Sequence, residues 1–340
     1  MTFIPISLTN FTLPFLLALL ISLLISLSLV RLGGFLALDR PGAKRLHRLP
    51  VPRIGGIAFW LAFVLVLPFF VQLELPLFGF LIGLTFIFLL GLVDDFVQLP
   101  AFYKLTGQIL GALILVLFGI GIHSLTNPFG GVFLLPFWLD SALTIIWVVM
   151  VVNALNFLDG LDGLAGSVSF VAALILGILS LLTFVAQPST ATISFIVAGA
   201  ILGFLFLNFH PARLFMGDSG SHFLGYVLAT LAIISGGKIA TAALVLGVPL
   251  IDFFWALIRR TAQGRSPVDR DLEHLHHRLL HLGLSQIQVV WVFVLLSLLF
   301  GSLALLGGTW FKLIAFSIAI LLVTLFMTWL SNRRFRSGST

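Results

Sequence analysis

Asp94 and Asp95 stand side by side at the end of the apolar run 78–93, and Lys104 lies at the start of the next run. Adjacent carboxylates at the mouth of an apolar helix repel each other and lose hydration, so they persist where a cation offsets them. A solvated helix end explains one such aspartate better than two. Paired hard oxygens suit Mg²⁺, or Mn²⁺ in its place, which takes one or two carboxylates and completes its shell with water and substrate phosphates.

Two further segments carry acids beside glycine. In Asn153-Ala154-Leu155-Asn156-Phe157-Leu158-Asp159-Gly160-Leu161-Asp162-Gly163, the spacing of three puts Asn153, Asn156 and Asp159 on one helical face, an expensive stripe inside a membrane. The Asp-Gly steps let the backbone turn close to a ligand. In Phe215-Met216-Gly217-Asp218-Ser219-Gly220-Ser221, reached from Asn208 through His210-Pro211, the glycines leave the Asp218 carboxylate uncrowded. Ser219 or Ser221 could cap the next helix, whose N-terminus attracts phosphate, and Phe215 either packs or stacks on a base.

The remaining polar segments are basic. Between Asp39 and Gly56, Lys44, Arg45 and His47 sit among three prolines, either as a patch for anionic lipid or as a shaped loop holding phosphate oxygens. Between Arg259 and Ser285, His274, His276, His277 and Arg278 form a cluster in which His274, His277 and His281 would share a helical face. Zinc is one reading of that cluster. Arg270 and Arg278 flank it, and a mixed His/Arg surface suits phosphate better than a cation.

These segments need elements to hold them, and composition says which. With 60% hydrophobic residues, 9% charged residues and a mean hydropathy of +1.20 over 340 residues, the chain cannot coat a soluble globule. Continuously apolar runs recur at 11–31, 54–71, 78–93, 105–122, 139–155, 164–185, 191–208, 221–236, 240–258, 289–308 and 311–330. They predict an all-α integral membrane protein, a polytopic bundle of about eleven transmembrane helices in one domain spanning 1–340. The first run reads as a retained span. Cysteine is absent, which excludes disulfide, thiolate and Cys-ligated metal chemistry.

Of the 18 Lys and Arg residues, all but Lys238 and Lys312 fall after odd-numbered runs. The positive-inside rule therefore places the N-terminus outside and the C-terminus in the cytoplasm. The inner connections, 32–53, 94–104, 156–163, 209–220 and 259–288, hold the polar motifs, so chemistry is expected at the cytoplasmic face of the cell membrane. The net charge of +6 follows from this topology and calls for no nucleic-acid partner.

Taken together, the Asp-Asp pair, the Asn-x-x-Asp-Gly-x-Asp-Gly-x-Ala segment at Asn156 to Ala165 and Phe-Met-Gly-Asp-x-Gly-Ser at Phe215 to Ser221 resemble the polyprenyl-phosphate N-acetylhexosamine-1-phosphate transferases of glycosyltransferase family 4. The resemblance covers essentially the whole chain. It implies that Asp218 is the main Mg²⁺ ligand, with Asp94 as base or nucleophile and second metal contact and Asp95 beside it. It also implies that Lys104, Asp159 and Asp162 serve catalysis and that Asn156, Asn208 and Phe215 lie near the nucleotide sugar. The interrupted histidine run, the ten-residue step from Asp94 to Lys104 and the Asp39-Arg40-Pro41 segment resemble the branch using UDP-GlcNAc or another small UDP-sugar. The other branch uses UDP-N-acetylmuramoyl-pentapeptide.

The expected partners are thus a UDP-N-acetylhexosamine donor, a polyprenyl (undecaprenyl) phosphate acceptor and the bilayer, with a homodimer compatible. The expected step opens cell-envelope polysaccharide synthesis and releases UMP. Two anionic phosphates must meet, which makes charge neutralisation the central task. A cation-coupled transporter would instead need polar residues near the membrane midplane and two related halves, which the sequence does not display.

Overall fold

The computed structural model describes residues 9–32, 38–39, 50–127, 129–182, 185–235, 239–264, 274–306 and 308–337; Lys44, Arg45 and His47 lie outside these, as does 265–273 of the largest inner loop. Every predicted apolar run falls on helix: α1 Thr9–Leu32, α2 Gly56–Val66 with a 3₁₀ turn to Phe69, α3 Leu75–Val97, α4 Ala101–Leu117, α5 Phe137–Leu158 and α6 Leu164–Leu181. The remainder are α7 Pro188–Asn208, α8 Gly217–Ile234, α9 Ile239–Val245, α10 Gly247–Ala262, the short α11 Leu275–His281, α12 Gln286–Leu305 and α13 Thr309–Ser337. In hydrocarbon a helix pairs its backbone groups internally, which is why apolar runs of this length fold this way.

Among the described residues six helices, α1, α3, α5, α6, α7 and α12, are long and apolar enough to cross a membrane. This is a multi-pass all-α membrane protein. α2, α4 and the apolar part of α13 are shorter apolar helices. The run 240–258, expected as one span, is broken: Leu246 leaves helical geometry between α9 and α10. Pro249 has no N–H to offer the carbonyl of Val245, so the helix restarts there.

α8 is the axis of the bundle. All of its residues but Asp218, Ile233 and Ile234 are buried, and α3, α5 and α2 pack around it while α6 and α7 lie inside with it. α1 covers α7 and turns Leu13, Leu16, Leu20 and Leu24 outward. A single apolar cluster extends from Ala18 to Ala319.

Two small antiparallel hairpins depart from the all-helical expectation. β3 Ser124–Thr126 pairs with β4 Val132–Leu134 at the far end of α4. β1 Leu38–Asp39 pairs with β2 Val51–Pro52, and the chain after β2 runs beside the entry to α8. There Phe215 N donates to Pro52 O at 2.8 Å, Gly55 N to Phe215 O at 2.8 Å and Gly56 N to Met216 O at 2.9 Å. The ends of α3, α5, α7 and α10 and the starts of α4, α6 and α8 gather at this same pole, so connections far apart in sequence become neighbours.

Candidate active site

Lys104, in the first turn of α4, reaches two carboxylates from other helices. Its Nζ contacts Asp94 Oδ2 of α3 and lies 3.0 Å from Asp218 Oδ2 of α8. Asp94 is 2% exposed, and its Oδ1 accepts from Leu99 N at 2.6 Å. That bond closes the turn between α3 and α4, in which Gln98 takes a left-handed conformation. Asp94, Lys104 and Asp218, from three different helices, therefore meet.

Asp95 points elsewhere, since successive side chains on a helix diverge by about 100°. Its Oδ1 accepts from Asp218 N at 2.7 Å, its Oδ2 from Ser219 N at 3.0 Å and from Ser219 Oγ at 2.7 Å. The α8 N-terminus, expected to be capped by Ser219 or Ser221 and open to phosphate, is capped instead by an aspartate from α3. Arg53 Nη2, 3.2 Å from Asp95 Oδ1 and 4.0 Å from Asp218 Oδ1, adds a cation that the sequence did not single out. Gly217 has φ +72°, and a Cβ there would strike the Arg53 carbonyl and the Asp95 carboxylate. A Cβ on Gly91 would lie 2.5 Å from Asp218 O, so glycine is what lets α3 approach α8.

From α5, Asn156 Nδ2 donates to Asp218 Oδ1 at 3.0 Å and to Ser221 Oγ at 2.9 Å. Asp159 is the C-cap of α5. Burial, reinforced by the Asp218 charge, pushes its carboxyl up to about 8. Asp94, Asp95, Asp159 and Asp218 thus gather around Lys104 and Arg53.

The remaining predicted residues brace the site. Asp162 Oδ2 lies 2.7 Å from His210 Nδ1 and accepts from Ala212 N at 3.1 Å, fastening the 209–213 loop. Asn208, 2% exposed, accepts from Gly163 N at 3.1 Å and donates to Leu214 O at 2.9 Å, so its amide is engaged by backbone. Phe215 is held through its backbone by Pro52 and Gly55.

His274 does not line α11 with His277 and His281; it is the residue before that helix, with Nδ1 3.0 Å from Asp252 Oδ2. Its ring lies parallel to that of His276, centroids 5.7 Å apart, and His276 lies 4.3 Å from His277. His276 is fully buried against Gly160, whose Cα leaves no room for a side chain under the imidazole. Arg278 is 8% exposed in the same short helix, and Arg260 sits 5.7 Å over Phe157, the neighbour of Asn156. The His/Arg loop is thereby delivered to the Asp159–Gly160 turn.

The donor set fits a hard divalent ion. Asp94 and Asp218 already converge on one cation, the Lys104 ammonium, and the acids outnumber the bases around it. Among the described residues no three acidic or imidazole groups reach ligand spacing; a divalent ion held between Asp94 and Asp218 would complete its shell with water and phosphate.

Comparison with known proteins gives this geometry a family. Residues 77–236 match the model of glycosyl transferase family 4. Among similar proteins, the probable undecaprenyl-phosphate N-acetylglucosaminyl 1-phosphate transferase of Bacillus subtilis is 32% identical over 338 residues, covering 96% of this chain and 93% of the relative. The decaprenyl-phosphate N-acetylglucosaminephosphotransferase of Mycobacterium tuberculosis is 36% identical over 299 residues, 76% of this chain and 72% of its own. The undecaprenyl-phosphate alpha-N-acetylglucosaminyl 1-phosphate transferase of Thermotoga maritima is 31% identical over 269 residues, 79% and 81%. The matched family region contains Asp94, Asp95, Lys104, Asn156, Asp159, Asp162 and Asp218, the residues that meet or brace one another at one pole of the bundle, and this chain belongs to glycosyl transferase family 4.

Proposed function

We propose that this protein transfers N-acetylglucosamine 1-phosphate from UDP-GlcNAc to a polyprenyl phosphate at the cytoplasmic face of the cell membrane. The observation that carries this reading is the meeting of Asp94, Lys104 and Asp218 from three helices in a family whose similar members are named for this transfer. A phosphate oxygen of the acceptor attacks the β-phosphorus of the donor. The bond from that phosphorus to the bridging oxygen breaks, and UMP leaves with the oxygen, giving a lipid diphosphate sugar.

Both reactants are anionic, so the work of the site is positioning and charge neutralisation. Lys104 offers a point charge to the acceptor phosphate, whose second pKa near ~6 leaves it largely dianionic at neutral pH; no covalent intermediate on Asp94 is then required. Asn156 fixes the rotamer of Asp218, while Arg53 and the His/Arg loop face the donor diphosphate. Asp218 and Asp94 would hold Mg²⁺, which supplies Lewis-acid stabilisation of the diphosphate when bound.

The test is purified protein with polyprenyl phosphate, Mg²⁺ and a panel of UDP-sugars, scored for UMP. Release with UDP-GlcNAc that depends on both acceptor and Mg²⁺ is expected; release with UDP-N-acetylmuramoyl-pentapeptide alone overturns the donor assignment. The orientation, supported by the 16 to 2 division of the 18 basic residues, is checked separately with single cysteines placed in 259–288. Labelling by an impermeant reagent outside intact cells refutes it.

A further inference from the structure

Each of three side chains that meet at the site has a polar neighbour one turn deeper on its own helix. His222 follows Asp218 on α8, Gln108 follows Lys104 on α4, and Asn153 precedes Asn156 on α5. The three deeper residues also meet. Asn153 Nδ2 donates to Gln108 Oε1 at 2.6 Å, and Gln108 Nε2 lies 3.1 Å from His222 Nε2. Gln108 and His222 are each 1% exposed, so this is a layer of polar groups inside an apolar bundle.

The direction of the chain is determined. Asn153 Nδ2 also donates to the carbonyl of Val149 at 2.7 Å, which only an amide nitrogen can do. The Gln108 atom facing it must then be the oxygen, and the Gln108 amide nitrogen must face the ring. His222 Nε2 therefore presents a lone pair, and the ring proton resides on Nδ1. This order satisfies both side-chain contacts, with His222 Nδ1 left buried and without a hydrogen-bond partner among the described residues, and the two contacts hold only while α4, α5 and α8 keep this relative placement.

We propose that Gln108, Asn153 and His222 are positioning residues that set the register of these three helices, so that Lys104, Asn156 and Asp218 converge one turn above. This rests on the transferase reading given above. Apolar helix faces slide past one another at small penalty in lipid, whereas a directed hydrogen-bond chain tolerates little sliding. A slip of a fraction of a turn would separate Lys104 from Asp218 without unfolding anything.

A purely structural layer and a positioning layer part company in the double variant Gln108→Leu/His222→Leu. Removing both partners of the Gln108–His222 contact leaves Asn153 Nδ2 its bond to the Val149 carbonyl, so thermal stability in detergent should stay near that of the wild type. Turnover should nonetheless fall by roughly 10- to 100-fold, the range for groups that orient reacting ones, with KM for the UDP-sugar little changed. A double variant with wild-type kcat overturns the layer and leaves the transferase reading intact. A wild type that releases no UMP overturns both.

Should the double variant fold poorly, two single variants decide at equal folded fraction. His222→Gln keeps an acceptor for the Gln108 amide and should retain most of kcat, whereas His222→Met, of similar size, should not. Equal kcat in the two overturns the proposal.

Discussion

Asp95 caps the helix that presents Asp218. Its two carboxylate oxygens accept from Asp218 N at 2.7 Å and Ser219 N at 3.0 Å, across 123 and 124 residues of sequence. The pair of acids at the end of α3 thus divides its labour: Asp94 faces the Lys104 ammonium and Asp95 holds the backbone of the Asp218 turn.

That division predicts different phenotypes for the neighbours. Asp95→Ala removes charge-assisted bonds to two backbone amides and a serine, each contributing about 1.5–3 kcal/mol, and should lower thermal stability and turnover together. Asp94→Asn, whose Oδ1 can still accept from Leu99 N, should lower turnover with a much smaller thermal change. Unfolding curves measured beside UMP release on both variants check this, and an Asp95→Ala protein of wild-type stability refutes the cap.

Asp218→Asn tests whether the charge at the centre of the site reacts or merely packs. An asparagine retains an oxygen for Asn156 Nδ2, so folding should survive. Losing transition-state charge stabilisation of about 3–4 kcal/mol corresponds to a fall in kcat of roughly a hundred- to a thousandfold. The control is Asp140→Asn at the opposite pole, where Asp140 pairs with His123 at 2.8 Å and Thr144 at 3.3 Å; turnover there should stay near wild type. An Asp218→Asn protein active in limiting Mg²⁺ would remove the metal assignment.

Asp162 lies in the same motif as Asp159 but is engaged by the 209–213 loop. Asp162→Asn retains an acceptor for Ala212 N and His210, so its kcat should stay within about tenfold of wild type, the lower range for an orienting group. A loss as deep as that of Asp218→Asn would place Asp162 among the groups that touch substrate.

Much of this was legible in the residues, and what was not has physical reasons. Asp94, Lys104, Asn156 and Asp218 stand out because ionisable or amide side chains in apolar runs need partners, and each proved to be another's partner. The cap by Asp95 was hidden because pairing between distant segments is a tertiary fact, although adjacency alone implied that two neighbouring helical acids face different ways. Gln108 and His222 were not singled out in the sequence; their signal was the one-turn spacing from Lys104 and Asp218. Gly247 and Pro249 announced the break inside the run 240–258, and continuous hydropathy overrode them.

Asp159 gives the site a pH signature. Its carboxyl is raised to about 8 by burial and then by the Asp218 charge, so between pH ~4 and ~8 the folded protein holds a proton there that the unfolded chain has released. A group that binds its proton more tightly when folded contributes stability that is full below the unfolded value and disappears as pH rises through the folded one. In EDTA, therefore, the midpoint of thermal unfolding should fall as pH goes from 6 to 9, and Asp159→Asn, which carries no charge to desolvate, should fall less steeply. A divalent cation near Asp218 would repay the same charge, so Mg²⁺ should flatten the wild-type slope and leave that of Asp159→Asn nearly unchanged. Parallel slopes for wild type and variant in EDTA would show that Asp159 is not the group that holds the proton.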